Sequence, residues 1–258
     1  MNRHTTALDI LEFIFWSLEK LSQPTFRNLT ESFEGWEYRV KIRPHLHRLA
    51  RTGFVEMLGA GSARTVALTD RGRLLASGGV DVAARWRRSW DGKWRLLVFD
   101  IPGQQAQLRM RLWRWLRTQR LGYLQQSVWA SPDPVDDRLL PLKHLKLTPE
   151  LFMVIEGRPV APDTDADIVR GAWDFVAINR AYDKVIQLCD EGRDLARRTN
   201  VTPAQRLKWL AAQRQAWSDA LWQDPLLPEP LWSANYAGPS AWKARKEAFD
   251  SLLKLAEK

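Results

Sequence analysis

Apolar residues recur at helical spacing through the first part of the chain, and the spacing then changes to that of strands. The first face comprises Ala7, Ile10, Leu11, Ile14, Phe15, Leu18 and Leu21. This pattern predicts an amphipathic helix, followed after Pro24 by a short second helix over 25–33. A third helix is predicted to end before Gly53, with Ile42, Leu46 and Leu49 as its buried stripe. Pro44 stands either in its first turn or at a kink.

A hairpin is predicted directly after these three helices. Residues 54–58 and 64–68 are rich in strand-forming side chains, and the Gly-rich loop 59–63 separates them. A short helical turn follows at residues 69–73. The order helix–helix–helix–hairpin is that of a winged helix-turn-helix, which predicts such a domain over residues 1–78.

The middle of the chain alternates between strands and helices. We predict a linker helix at 79–92 that carries Trp86 and Trp90, and then a domain over 93–162. Its expected elements are a strand at 94–99, a helix at 104–120, a strand-rich stretch at 123–130, a short helix around 135–144 and a strand at 151–155. This succession, with room for one more strand, is typical of a ferredoxin-like sandwich.

The last third, residues 163–258, is predicted to be a helical domain. Helices are expected near 174–198, 203–222 and 239–257, and the pair Thr202-Pro203 is a typical helix start. The stretch 224–239 is too rich in proline to be helical. The fold class is therefore α+β: an N-terminal winged helix-turn-helix, a central ferredoxin-like domain and a C-terminal helical domain for ligand sensing or dimerisation.

Charge and cysteine content narrow the classes of function. The chain holds 39 basic and 30 acidic residues, a formal charge of +9, and residues 1–90 contribute 14 basic against 9 acidic side chains. This excess in the first third indicates a polyanionic partner there. The single cysteine, Cys189, excludes an intramolecular disulfide and a cysteine-based zinc site. With no secretory signal and no membrane span expected, we predict a soluble, cytoplasmic protein.

The predicted third helix and hairpin carry the candidate DNA contacts. If the apolar stripe of the helix is buried, its basic side chains are left on the outer faces, and Arg64 stands beside the hairpin loop. The candidate DNA-binding residues are Arg39, Lys41, Arg43, His47, Arg48, Arg51 and Arg64. Arginine suits both phosphate oxygens and the guanine edge in the major groove. The alternative is a solvated basic helix face, which would make the domain a protein-interaction module.

Two longer motifs resemble a known family. The segment Trp90–Pro102, the arginine-rich helix after it and the segment Leu121–Pro132 look like the central domain of PaaX-type regulators. The later segments Asp224–Leu231 and Tyr236–Ala241 are similar to the C-terminal domain of that family. Pro44 inside the predicted recognition helix departs from the family pattern.

The resemblance implies a homodimeric transcriptional repressor of a catabolic operon that binds palindromic operator DNA. It further implies release from DNA by an aryl-acyl-CoA, which is phenylacetyl-CoA in the founding members. Arg109, Arg111 and Trp129 are the candidate ligand-binding residues, although the arginines of this helix also fit DNA or a solvated face. No catalytic residue, metal or cofactor is expected, because the four histidines and Ser131 form no triad spacing.

The central domain is also similar to CRISPR-associated ferredoxin-like nucleases, which suggests an enzymatic alternative. Asp100 matches the metal-binding aspartate at the end of their first strand. With its mate in a dimer it could hold Mg²⁺, since that ion keeps much of its water and needs few protein ligands. The competing interpretation is that Asp100 accepts backbone hydrogen bonds where the strand turns into the helix.

Overall fold

A computed structural model describes residues 46–59, 65–76, 79–134, 152–198 and 201–256. The chain divides into two compact units. The first comprises the described residues of Met1–Asp81, Asn179–Trp222 and Ala237–Lys258, and the second those of Val82–Ile178 and Gln223–Tyr236. Both helices and antiparallel sheets are present, as the sequence predicted. Within the described residues, no helix is both long and apolar enough to cross a membrane.

The second unit contains a four-stranded antiparallel sheet. Its elements are α2 (Val82–Arg87), β3 (Trp94–Phe99), α3 (Ala106–Thr118), β4 (Gly122–Gln125), β5 (Val128–Ser131), β6 (Phe152–Gly157) and α4 (Asp165–Ala172). The strand order is β4-β5-β3-β6. The succession β3, α3, β4, β5 and β6 supplies five of the six elements of a ferredoxin-like sandwich. The short helix predicted around 135–144 lies outside the described residues.

Strand β3 is buried on both faces, because each face of the sheet is covered by a different part of the chain. Leu97 and Phe99 pack with Leu112 and Leu116 of α3. Residues one position out of phase point to the opposite face, where Trp94 packs with Val169 of α4 and with the segment 227–231. A strand sandwiched in this way requires the nearly continuous apolar run that the sequence shows at 94–99.

An Asp-Gly turn leads the chain into β3 and is closed by a buried arginine. The Asp91 carboxylate accepts a hydrogen bond from the Lys93 N–H at 3.0 Å and from the Arg95 guanidinium at 2.9 Å. Glu156 of β6 accepts from Arg95 at 2.9 Å on the other side. The hydrogen bond from Arg95 lowers the pKa of Asp91 to about 2. The conspicuous Trp-Asp-Gly-Lys-Trp motif is thus a turn that positions the first strand of the sheet.

Ion pairs with an aspartate that follows β5 hold helix α2 against the sheet. The Asp133 carboxylate forms ion pairs with Arg88 at 2.6 Å and with Arg85 at 2.8 Å. The Arg88 guanidinium also donates to the carbonyl of Leu226 at 2.5 Å. Although burial opposes ionisation, the hydrogen bonds and charges of the two arginines hold the pKa of Asp133 below its ordinary value.

The proline-rich segment 223–236 is ordered by the buried carboxylate of Asp224. That carboxylate accepts a hydrogen bond from the Leu226 N–H at 2.7 Å and another from the Tyr236 hydroxyl. The Tyr236 oxygen in turn accepts from the indole N–H of Trp86 at 2.9 Å, which joins this segment to α2. Residues 224–237 contain no α-helix, as their proline content predicted, only a 3-10 turn at Glu229–Leu231.

The first unit has a two-stranded hairpin and long helices. Its described elements are β1 (Val55–Leu58), β2 (Thr65–Leu68), α1 (Asp70–Ala76), the part of α5 (Phe175–Arg197) from Asn179 onward, α6 (Pro203–Gln223) and α7 (Gly238–Ala256). Thr202 caps α6 as predicted: it accepts a hydrogen bond from the Gln205 N–H, and its own N–H donates to the Gln205 side chain.

Aromatic rings and one buried arginine join these long helices. Trp217 contacts Tyr182 and Trp242, with ring centroids 5.9 and 5.3 Å away. Arg245 is fully buried, donates to Gln213 at 2.9 Å and lies over the Trp217 ring. Burial lowers the pKa of Arg245 to about 9.

Three details differ from the sequence prediction. The stretch 123–130 forms two strands, β4 and β5, because the chain reverses at Gln126, whose φ is +41°. The linker helix predicted over 79–92 is limited to Val82–Arg87, since the Asp-Gly turn follows closely. Helix α7 begins at Gly238, so the last two residues of the stretch 224–239, which was predicted to be non-helical, are helical.

We predict that Asp133→Asn destabilises the protein at neutral pH by about 1–3 kcal/mol, because it leaves two half-buried arginines without their carboxylate. The folded-state pKa of Asp133 is depressed, so its contribution is complete above the ordinary pKa of 3.8 and is lost as the pH falls through the folded value. Urea unfolding of both proteins between pH 7 and pH 2 should therefore show the difference shrinking below that point.

Asp163→Asn is the matched control, since Asp163 is exposed and lies in the same unit. It should change stability by less than about 0.5 kcal/mol. Equal stabilities of Asp133→Asn and the wild type at pH 7 would contradict the importance of these ion pairs.

Candidate nucleic-acid interface

Residues 46–51 form the end of a helix with an apolar inner face and a basic outer face. Leu46 and Leu49 are 0 % and 3 % exposed, which confirms two members of the predicted stripe. Arg51 and His47 are exposed and Arg48 is half-exposed. A helix end held by leucines on one side places these side chains on the other.

Gly53 ends this helix and turns the chain into β1. Its N–H donates to the carbonyl of Ala50 at 3.0 Å, and the N–H of Phe54 donates to the carbonyl of Leu49 at 2.9 Å. This is the Schellman pattern, in which the residue after the helix adopts the left-handed conformation, and the φ of Gly53 is +74°. Strand β1 therefore starts two residues after Gly53.

Strands β1 and β2 form an antiparallel hairpin in regular register from Val55–Leu68 to Leu58–Thr65. Val55, Val66 and Leu68 are 1–3 % exposed, so one face of the hairpin is buried. The two strands predicted at 54–58 and 64–68 are confirmed as Val55–Leu58 and Thr65–Leu68. The hairpin tip, residues 60–64, lies outside the described residues.

The start of α1 ties the hairpin back to the helix end. The Thr69 hydroxyl donates to the carbonyl of Gly53 at 2.7 Å and accepts from the N–H of Gly72 at 3.0 Å. Arg71 donates to the carbonyl of Thr52 at 3.3 Å and lies over the Phe54 ring at 4.6 Å. These contacts make the helix end, hairpin and α1 one connected structure.

Thr69 and Arg71 were not among the candidate residues, although both contribute to this geometry. The helix-start signal Thr69-Asp70 was visible in the sequence, because threonine is a favoured N-cap and aspartate suits the first turn. The contact of Arg71 with Phe54 had no local signal, since it joins residues on separate elements.

The structure describes three of the seven candidate DNA-binding residues and places them together. These are His47, Arg48 and Arg51, on the exposed side of one helical segment. Arg39, Lys41, Arg43 and Arg64 lie outside the described residues.

The candidate ligand-binding residues lie on different sides of α3. Trp129 is 0 % exposed in the core between the sheet and α3, next to the rings of Trp113 and Tyr123. Arg109 is half-buried and donates to the carbonyl of Ile101 at 2.5 Å. Arg111 is exposed on the outer side of the helix. The structure thus does not bring Arg111 and Trp129 to one surface.

Asp100 follows β3 and is exposed. In the part of the chain that the structure describes, its carboxylate accepts no hydrogen bond. The interpretation that Asp100 accepts backbone hydrogen bonds at the strand end is therefore wrong for these residues. Among the described residues, no group of three or more histidine, cysteine, aspartate or glutamate side chains is placed to hold a metal ion.

Comparison with known proteins adds to this geometry. Residues 87–169 match the model of the PaaX protein central Cas2-like domain, and residues 173–258 match that of the PaaX-like protein C-terminal domain. The transcriptional repressor PaaX of Escherichia coli (strain K12) is 26 % identical over 211 residues, which cover 78 % of this chain and 65 % of that protein. The match thus spans less than two thirds of the repressor's length.

A solved structure is similar in fold. The uncharacterised protein Rv0674 from Mycobacterium tuberculosis superposes with a TM-score of 0.57 and 20 % sequence identity, over 99 % of this chain and 97 % of that chain. This likeness concerns the fold alone.

We predict that Gly72→Ala loosens the connection between α1 and the hairpin. A Cβ at this position would lie 1.9 Å from the carbonyl oxygen of Phe54 and 3.0 Å from a methyl group of Leu68. Relieving this clash should cost about 1–3 kcal/mol. Amide hydrogen exchange should show faster exchange in Val55–Leu58 and Thr65–Leu68, whereas Gly103→Ala, with open space around the added methyl, should leave both strands unchanged.

Proposed function

We propose that this chain, which belongs to the PaaX-type family, is a transcriptional repressor that binds operator DNA through the helix ending at Arg51 and the hairpin after it. The observation that carries the proposal is the joined helix end and hairpin with basic side chains on its outer side. In a winged helix such a helix enters the major groove while the hairpin lies along the backbone. The proposed function requires neither a membrane nor a cofactor.

The positions of Arg48 and Arg51 support contact with DNA. They stand three residues apart, so they are neighbours on the helix surface, and Leu49 between them faces the core. Arginine at such a site reaches phosphates or pairs with a guanine. In the proposal Arg39, Lys41, Arg43 and His47 also contact DNA, and Arg64 contacts it from the hairpin.

The functional division of the chain is part of the same proposal. Residues 1–78 would bind DNA, 79–92 would link, 93–162 would dimerise the protein, and 163–258 would sense a ligand. The effector implied by the family is of acyl-CoA type and would relieve repression of a catabolic operon. By thermodynamic linkage, such an effector must bind the DNA-free form more tightly than the DNA-bound form.

We predict that the double substitution Arg48→Gln and Arg51→Gln weakens binding to a duplex from the gene's own upstream region. Each arginine that reads a base should contribute about 1–3 kcal/mol, and removing an arginine from a phosphate should flatten the plot of log affinity against log salt by about 0.9. Fluorescence anisotropy over a salt series measures both quantities.

The control removes two arginines whose charges are already paired on exposed helix surfaces. Arg170→Gln and Arg197→Gln take away the same net charge, and each residue pairs with an aspartate three positions earlier. If the control weakens binding as much as the Arg48 and Arg51 variant does, net charge explains the effect and the helix assignment fails.

Strand β6 supports the proposed homodimer. It pairs with β3 without interruption over six residues and is the last strand of the sheet as described. Its side chains Met153, Val154 and Ile155 are 58 %, 36 % and 46 % exposed. Natural sheet edges are normally guarded by charges, proline or bulges, and Phe152–Ile155 contains none of these. Such an edge suits pairing with another strand.

A second copy of the same strand is a suitable partner. Antiparallel pairing about a two-fold axis through Val154 would place Met153 of each copy opposite Ile155 of the other, apolar against apolar. It would place Glu156 opposite Phe152, so no like charges would meet. Glu156 is held by Lys93 at 2.6 Å within its own chain.

We predict that Ile155→Lys reduces self-association, because it introduces a charge at the centre of this edge. Sedimentation velocity at micromolar concentration should show a shift from dimer toward monomer. Val160→Lys is the control, since Val160 is an 80 % exposed apolar residue outside the sheet. A monomeric wild type, or an Ile155→Lys protein that remains a dimer, would contradict the role of β6.

A further inference from the structure

Helix α3 presents a row of arginines for which the described residues supply no acidic partner. Arg111, Arg114 and Arg117 are all exposed. The helix, Ala106–Thr118, contains no acidic residue, and within the described residues none of the three arginines takes part in an ion pair. By contrast Arg170, Arg193 and Arg197 on other helices each pair with an aspartate three positions earlier.

The orientation of the row is set by the packing of α3. Leu112 and Leu116 are fully buried against the sheet, and Arg109 is tied to the carbonyl of Ile101. The remaining arginines recur every third residue on the opposite side. They form a ridge that rises about 9 Å along the helix axis and turns through about 120° of its surface.

Three neighbouring cations without acids are a cost to the isolated protein. Like charges on adjacent helical turns destabilise a helix, because they repel each other across its surface. A polyanion would reverse this cost, because it supplies charge along the whole ridge. Duplex DNA carries one negative charge per ~1.7 Å of its axis, so a ridge of this length faces several phosphates.

The shape of the row favours a polymer over a compact phosphate ligand. Side chains that fan out over about 120° of a convex helix surface diverge from one another. A free nucleotide or coenzyme requires donors that converge on it from the walls of a concave site. A phosphate backbone needs only successive cations along its path.

We propose that Arg111, Arg114 and Arg117 form a second, sequence-independent contact with the DNA phosphate backbone, separate from the helix and hairpin of residues 46–68. This inference rests on the proposed function, since it assumes that the protein binds DNA. It assigns the arginine-rich helix of the central domain to DNA affinity and its salt dependence, and leaves sequence recognition to the N-terminal domain.

The test compares the full-length wild type with the triple variant Arg111→Gln, Arg114→Gln and Arg117→Gln on a 60-base-pair duplex centred on the upstream region. Removing up to three cations from the phosphates should flatten the salt dependence by about 2–3 units of slope, at about 0.9 for each cation. The triple lysine variant keeps the charges and should recover most of the slope. Thermal unfolding of all variants verifies that they are folded.

The control is the triple variant Arg170→Gln, Arg197→Gln and Arg198→Gln, which removes the same charge from other exposed positions. The inference is supported if the slope falls in the α3 variant, stays unchanged in the control and is restored in the lysine variant. An α3 slope equal to that of the wild type overturns the inference and leaves the proposed function intact. A wild type without salt-sensitive DNA binding overturns both.

A final measurement distinguishes a DNA-binding role of the arginine row from a nucleotide-binding role. Coenzyme A, added at millimolar concentration in a thermal-shift assay, should stabilise the wild type and the α3 variant equally or not at all. If coenzyme A stabilises the wild type and this stabilisation disappears in the α3 variant, the row belongs to a nucleotide site and the DNA inference is wrong.

Discussion

The Arg88 guanidinium joins three parts of the second unit that are far apart in sequence. It pairs with Asp133 after β5, donates to the carbonyl of Leu226 in the proline-rich segment and donates to the carbonyl of Arg85 in α2, the helix that ends just before it. Half-buried charges need such complete pairing, because the interior does not solvate them. Trp86 packs against Tyr236, and segment 227–231 packs against the sheet. Both contacts join parts of the chain that the Arg88 guanidinium connects.

Much of the fold could be predicted because its signals are local. Helices α5, α6 and α7 follow from apolar periodicity and from caps such as Thr202, and β3 follows from its apolar run. The division of residues 123–130 into β4 and β5 could not be predicted, because the turn at Gln126 lacks the glycine or asparagine that marks most tight turns. Glutamine rarely adopts a positive φ, so the pattern of apolar and polar residues does not indicate this turn.

The contacts that position the candidate surfaces are mostly long-range, and the sequence alone does not show them. The Asp133 carboxylate pairs with Arg85 and Arg88, which are more than forty positions away in the sequence. The buried Arg245 donates to Gln213, which is 32 positions away. Each looks like an ordinary surface charge in the sequence. The outer face of the helix at 46–51 could be predicted, because it is the complement of an apolar stripe. Only the structure shows that the α3 arginines form no ion pair with a described residue, since pairing depends on what packs nearby.

The two edges of the four-stranded sheet are not alike, and this difference limits what the sheet can build. Strand β4 shifts register between Tyr123 and Gln125, an irregularity that makes an edge a poor template. Strand β6, at the other edge of the sheet as far as the described residues show it, is regular. A sheet with one open edge can add a strand from a partner on that side only. In a two-fold symmetric dimer the open edges of the two copies pair with each other, so neither copy keeps an open edge. In the proposed homodimer, the same irregularity in β4 would therefore favour a closed assembly over an open filament.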